Sequence, residues 1–256
     1  MKIKNNDIGV AILSTDRPSC LERLLNSIQT HTSLEGFFIH VIDDSSDPKP
    51  CENICKEYPW VLFHHTGERI GIAQNTNHAM LSIAKKPYKL IFNNDMEILR
   101  VGWEYYYFLA MQQTSFHHFC FQQIGLWGNG NKKKRPETIQ CYNDRTIKTI
   151  YDHPQGALLA YDQVAFDTVG YFDAELFKSY GRSHWLWSFA ISESEIQPKG
   201  IHDVVGSNKY FRVHNEPCTT PAKERIESYM RNTKIFEDEL QKMKMKCRPI
   251  YTPYFE

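Results

Sequence analysis

Three short polar clusters hold the residues best suited to chemistry in this chain: Thr15-Asp16-Arg17, Asp43-Asp44 and Asn93-Asn94-Asp95. Each joins a carboxylate to other polar groups, and together they offer hydroxyl, amide and guanidinium partners for a polar ligand and oxygen donors for a hard divalent cation. Taken singly, any one of them reads equally well as a turn or a helix cap. Their placement lowers that reading, because each follows directly on an apolar run. Residues 8–14, 37–42 and 88–92 are short, apolar and bounded by turn formers, so they read as buried strands.

The segments between these runs carry helical spacing. Leu21, Leu24, Leu25 and Ile28 mark a first helix, Ile54 and Tyr58 a second, and residues 73–84 a third, with a further strand over 60–64. Strand and helix alternating in this way predict an α/β fold with a parallel sheet. Ligands of such sheets sit outside the carboxyl ends of the strands, so the three clusters are expected to converge on one crevice. The second half is less regular. Residues 102–113 form an aromatic-rich helix, 155–161 a strand, 163–169 a short helix and 170–173 a turn. From about Pro221 a helix carries Ile226, Tyr229, Met230, Phe236 and Leu240 at amphipathic spacing, read as the stripe that meets the core. The organisation expected is one domain, with halves at 1–100 and 101–220 and a C-terminal helix and tail at 221–256.

Composition narrows the function classes. A chain of 256 residues can build one large core. Its 30 Lys+Arg balance 30 Asp+Glu, which argues against a disordered tail and against a nucleic-acid partner that would demand a basic excess. No apolar run approaches the roughly 18 residues of a membrane span, and the polar N-terminus does not read as a secretion signal. Seven scattered cysteines and no glycosylation sequon fit reduced thiols in a cytoplasmic protein. Cys51 and Cys55 lie a helical turn apart but lack the second pair of a zinc site. Two basic stretches stand out. Residues 125–136 read as a loop with four consecutive positive charges, a solvated turn or else a phosphate or membrane contact. The tail Lys242–Arg248 interleaves basic and apolar residues, as in a peripheral membrane or partner contact.

No Gly-x-Gly-x-x-Gly follows the first strand, and the P-loop, His-Glu-x-x-His and Gly-x-Ser-x-Gly patterns are absent. A nucleotide crevice without a glycine-rich phosphate loop needs another way to offset a diphosphate. A divalent cation held by a carboxylate supplies one.

In order along the chain, Val10–Pro18 with Leu21 and Leu24–Ile28, then Val41–Asp47, Arg69–Asn77, Leu90–Asp95, Gly156–Tyr161 and Val169–Asp173 resemble the family two glycosyltransferases of the GT-A fold. The likeness spans about residues 8–190. It implies a single GT-A-like domain with a mostly parallel, Rossmann-like central sheet, and transfer of a sugar from a nucleotide-sugar to a glycan or lipid-linked acceptor. It further implies that Thr15, Arg17, Asp43, Asp44, Arg69, Gly71, Asn77, Asn93 and Asn94 line the nucleotide-sugar side, with Thr15 and Asp43, beside Asp44, at the uracil and ribose of a UDP-sugar. Asn93-Asn94-Asp95 stands where the family has Asp-x-Asp, so Asp95 would bind Mn²⁺ or Mg²⁺. Phe211–Asn215 resembles the segment that supplies a metal-binding histidine, making His214 the second ligand, with Arg212 alternatively at phosphate.

The chain departs from the family where a Glu-Asp pair is usual after a glycine. Here Tyr180-Gly181-Arg182-Ser183-His184 places a histidine on the position of the Asp. A neutral imidazole can take the proton of an acceptor hydroxyl, so His184 is the candidate base of an inverting transfer, with Asp173 in reserve. Gly156, Trp185 and Trp187 would face the acceptor, a Trp stacking on a sugar ring. Alternatively His184 only orients the acceptor and the Trp residues are core. The same departure supports a rival, a nucleotide-sugar or glycan-binding protein that has lost turnover. A nucleotidyltransferase fits less well without a basic glycine-rich loop.

Overall fold

The computed structural model describes residues 3–33, 37–123, 139–142, 145–150, 155–178, 180–214, 216 and 219–244. The basic loop within 125–136 and the tail beyond Lys244 lie outside them.

The first hundred residues alternate as the apolar pattern requires: β1 (Ile8–Ser14), α1 (Pro18–His31), β2 (Ile39–Asp43), α2 (Lys49–Lys56), β3 (Val61–His65), α3 (Ile72–Ser82) and β4 (Tyr88–Asn93). All seven residues of β1 are buried, the signature of a strand covered on both faces. Thereafter come β5 (Met96–Ile98), α4 (Trp103–Gln113), β6 (His118–Cys120), β7 (Ile139–Tyr142), β8 (Arg145–Ile150), β9 (Leu158–Asp162), α5 (Gln163–Val169), α6 (Ser183–Glu193), β10 (Ile201–Val204), β11 (Phe211–Val213) and α7 (Ala222–Lys244).

The main sheet has the order β3-β2-β1-β4-β9-β6. β1 to β4 run parallel, and β9 is antiparallel to both β4 and β6. The carboxyl ends of β1, β2, β4 and β6 therefore share one rim with the amino end of β9. One core fills the face covered by α1, α2 and α4, and a second lies under α3, α5, α6 and α7. A small antiparallel pair, β5 with β11, and a three-stranded sheet, β10-β8-β7, flank the main sheet. The buried Asp203 of β10 ties that flank together. It pairs with Lys148 at 3.3 Å and accepts from the Tyr107 hydroxyl at 2.7 Å and the Ser207 hydroxyl at 2.8 Å, so the buried charge has the partners it needs.

The structure corrects the reading of the C-terminal helix. Phe236 and Leu240 meet the core as expected, but the buried positions are Ser228, Asn232, Phe236, Glu239 and Met243, whereas Ile226, Tyr229 and Met230 are exposed. The apolar pattern misled over the first turns, where Asn232 instead turns inward to donate to backbone carbonyls. The strand over 155–161 is β9, beginning at Leu158, and α6, absent from the sequence reading, occupies the stretch around His184.

Candidate active site

Asp44, just beyond β2, knots three segments together at the rim. Its carboxylate accepts the Thr15 hydroxyl from the end of β1 and, at 3.1 Å, the Gly71 amide at the start of α3. Burial pushes its pKa up, opposed by the Thr15 and Gly71 hydrogen bonds and by Arg69. Gly71 has φ +83°, a conformation that favours glycine, and an added Cβ would lie 2.9 Å from the Lys178 carbonyl. The segment leading into α6 is thus seated against the Asp44 knot. Asp43 turns inward instead, accepting the Ser45 hydroxyl at 2.8 Å. Asp16, at φ 45°, accepts the Ser46 amide at 2.9 Å and pairs with Arg69 at 3.4 Å, while Arg69 also donates to Thr219 at 2.8 Å.

The second corner of the rim is the turn after β4. The Asn94 amide donates to the Leu13 carbonyl at 3.0 Å, and the buried Asn94 side chain has neither polar atom paired among the described residues. Asp95 is paired through Oδ2 with Arg17 at 3.3 Å, and its buried Oδ1 has no partner among them. Burial raises the Asp95 pKa, Arg17 opposes this, and Glu216 adds to it. His214 is bound to the same turn, its amide donating to the Asp95 carbonyl at 2.8 Å. Its imidazole lies 2.9 Å from Glu97, and Arg212, opposite Glu97 across the β5–β11 pair, reaches the same carboxylate at 3.3 Å.

A divalent cation fits this corner as a half-site. Asp95 offers a buried oxygen and Asn94 an amide oxygen, both unpaired among the described residues, and His214, just after β11, an imidazole that a cation would have to share with Glu97. Among the described residues no group of three His, Cys, Asp or Glu could hold a metal by itself. Oxygen atoms of a substrate phosphate would have to complete the shell, a common arrangement for such cations.

His184 lies in the first turn of α6, against Gly156. A Cβ on Gly156 would stand 2.7 Å from the His184 Cγ and 2.8 Å from its Nδ1, so only glycine leaves room for the ring. The next residue, Ala157, accepts the Asn93 amide at 2.8 Å. His184, Gly156, Asn93 and Asp95 consequently follow one another along the rim.

Other expected residues are placed elsewhere. Trp187 is 3% exposed, donates to the Gly170 carbonyl at 2.9 Å and stacks on Phe172 with centroids 5.5 Å apart. It is a core residue and presents no face to an acceptor, which corrects the sugar-platform expectation. Trp185 is covered by Arg182 and Phe236. Asn77 is fully buried, and both ends of its amide are used by the Phe172 backbone, at 2.9 and 2.8 Å, so it anchors the 170–173 turn to α3. Asp173 accepts the Leu176 amide at 3.2 Å. Two residues at the Asp95 corner escaped the sequence reading, Glu97 and Glu216, whereas Asp16 belonged to the first cluster without a role of its own. Glu97 had a signal, since alternation along an extended segment puts it on the same side as Asp95.

No family model matches the sequence, and no curated protein matches it. Solved structures do resemble the fold. GalNAc-T7, determined with UDP, GalNAc and Mn²⁺, superposes with a TM-score of 0.61 at 13% identity, covering 91% of this chain and 49% of that one. S. aureus TarS gives 0.60 at 15% identity, over 94% and 42%. A mannosyltransferase of Pyrobaculum calidifontis, in complex with GDP-Man and Mn²⁺, gives 0.52 at 14% identity, over 75% and 55%. The chain has the GT-A fold that these glycosyltransferases share. It spans about half the length of the chains it matches.

Proposed function

We propose that this chain is a glycosyltransferase that moves a sugar from a nucleotide-sugar, with UDP as the nucleotide, to a hydroxyl of a glycan or lipid-linked acceptor, with inversion. The observation that carries the reading is the run of His184, Gly156, Asn93 and Asp95 along one rim, beside the Thr15–Asp44–Gly71 knot. In this reading the loops joined by Thr15, Asp44 and Gly71 receive the nucleoside, while Asp43, fully buried with its carboxylate taken up by Ser45, shapes the turn instead of touching the base, which corrects the expectation that it meets the uracil. Arg17, held at Asp95, would offer its guanidinium to the diphosphate. Asp95 and His214 would hold Mn²⁺ or Mg²⁺, which when bound offsets the charge developing on the leaving diphosphate.

The transfer balances as follows. The acceptor oxygen forms a bond to the anomeric carbon as its proton passes to an imidazole nitrogen of His184, while the bond from that carbon to the diphosphate oxygen breaks and its electron pair leaves with UDP. A base on the face opposite the leaving group inverts the centre. A donor screen tests the proposal: binding and UDP release with UDP-, GDP- and dTDP-sugars, with Mn²⁺, Mg²⁺ or chelator, for wild type and His184→Ala. The expected result is binding of a UDP-sugar that requires metal and a slow turnover that disappears in His184→Ala. No nucleotide binding with either metal would refute the crevice. Because His184 replaces the family's carboxylate and Arg17 already neutralises Asp95, the second reading is a non-catalytic nucleotide-sugar-binding protein. Binding without UDP release across a broad acceptor panel would favour it. A lipid-linked acceptor would place the protein at the inner membrane face. No helix among the described residues is long and apolar enough to cross a membrane.

A further inference from the structure

Arg182 lies two residues before His184, at the turn into α6, in a left-handed conformation with φ 72°. Such a backbone is unfavourable for a side-chain-bearing residue and persists where the surroundings over-determine it. Those surroundings come largely from α7. The guanidinium lies 3.7 Å from the centroid of Trp185, 4.4 Å from that of Tyr229 and 5.8 Å from that of Phe236. Its Nε donates to the Thr233 hydroxyl at 3.2 Å and its Nη2 to the Tyr229 hydroxyl at 2.5 Å. One residue away, the fully buried Asn232 donates to the carbonyls of Tyr180 and Gly181 at 2.9 and 3.0 Å. An added Cβ on Gly181 would already touch Tyr229 at 3.3 Å. Tyr229, Asn232, Thr233 and Phe236 therefore grip the 180–182 turn. A helix needed only to cover apolar surface would not place an amide and a hydroxyl against the backbone that leads to His184.

We infer that Arg182 is a positioning residue: held by Trp185, Tyr229 and Thr233, it lets α7 fix the first turn of α6 so that the His184 imidazole lies over Gly156. The inference rests on the reading of His184 as the proton acceptor. Arg is suited to the role because its planar fork stacks on aromatic faces while donating in plane.

The test uses the full chain, with Arg182→Met and the milder Tyr229→Phe, each also made in a His184→Ala background. The His184 ring signal in NMR is assigned by its loss in His184→Ala. Both substitutions are expected to move that signal, while the signals of His40 on β2 and His64 on β3, at the far side of the main sheet from β9, stay in place. Hydrolysis of UDP-glucose or UDP-N-acetylglucosamine, whichever is turned over, is expected to slow about tenfold in Arg182→Met with the affinity for UDP and Mn²⁺ unchanged. Neither substitution should slow the residual rate of His184→Ala further. An unmoved His184 signal in both variants, or an equal slowing in the His184→Ala background, overturns the inference. If His184→Ala retains the wild-type rate, the proton-acceptor reading fails and the catalytic part of the inference fails with it. The moved or unmoved signal separates that case from a failure of the clamp.

Discussion

Gly156→Ala offers a direct probe of the rim. The added methyl would stand 2.7 to 2.9 Å from three atoms of the His184 ring, whereas ordinary van der Waals contact begins at 3.4 Å and extends to 4 Å. The ring must therefore retreat by about 0.7 to 1.3 Å. A displacement of about 1 Å can cost on the order of 100-fold in rate where geometry is reaction-ready. We expect kcat to fall between about 10- and 100-fold, about 1.4 to 2.7 kcal/mol of barrier. Stability should change little. Gly156 has no positive φ, His184 is half-buried, and the reduced freedom of the unfolded chain on replacing glycine offsets part of the cost of moving the ring. The assay is UDP release with Mn²⁺ at saturating donor, with the UDP dissociation constant by calorimetry and the melting temperature alongside. In the His184→Ala background the methyl meets no ring, so the loss should vanish. A Gly156→Ala protein that keeps kcat within twofold, or that loses UDP affinity as much as rate, refutes the placement of His184 as the acting group.

Arg17→Met is expected to tighten Mn²⁺ binding to the nucleotide-free protein, because the guanidinium 3.3 Å from Asp95 competes for the same carboxylate; calorimetry that finds equal or weaker binding rejects that competition. Trp187→Ala should lower stability by about 3–5 kcal/mol, as for other large aromatic truncations in a core, read from denaturant unfolding. Acid should weaken the fold through His118, which is neutral in the core, its Nδ1 donating to the Ala160 carbonyl and its Nε2 accepting from Ser188. Burial pushes its pKa down to about 4. Since an unfolded histidine titrates near 6.5, only the unfolded state takes up the proton between those values. Stability is therefore lost as pH falls from about 6.5 towards 4, by up to about 3 kcal/mol. His118→Asn should flatten that part of the melting curve against pH.

Much of the first half was legible in the sequence because its determinants are local. Short apolar runs and helical spacing gave the order and type of β1 to β4 and α1 to α3, with ends one or two residues off and Tyr58 falling just beyond α2, and chain direction alone brings the polar clusters at the strand ends onto one rim. What escaped depends on partners distant in sequence. That Asp43 turns to Ser45 while its neighbour Asp44 joins Thr15 to Gly71 depends on which way each side chain leaves the strand end, which no pattern records. The run 185–189 carries apolar side chains at four of its five positions, so its pattern does not reveal that Trp187 faces the core and Trp185 meets Arg182. The face of α7 was misjudged for a related reason. Hydropathy scores Asn232 as outward, yet two carbonyls left open by the left-handed turn at Gly181 and Arg182 draw it inward.

The reversal of β9 has a consequence for how such a protein can change over generations. β6 delivers the chain to the rim at Cys120, and β9 takes it back there at Leu158. Among the described residues between Gln122 and Gln155, none pairs in the main sheet, β7 and β8 included. If the chain is the glycosyltransferase proposed above, that stretch is where length and sequence could drift between generations to change the acceptor, while the strand pairings of the main sheet and the knot at Asp44 stay as they are.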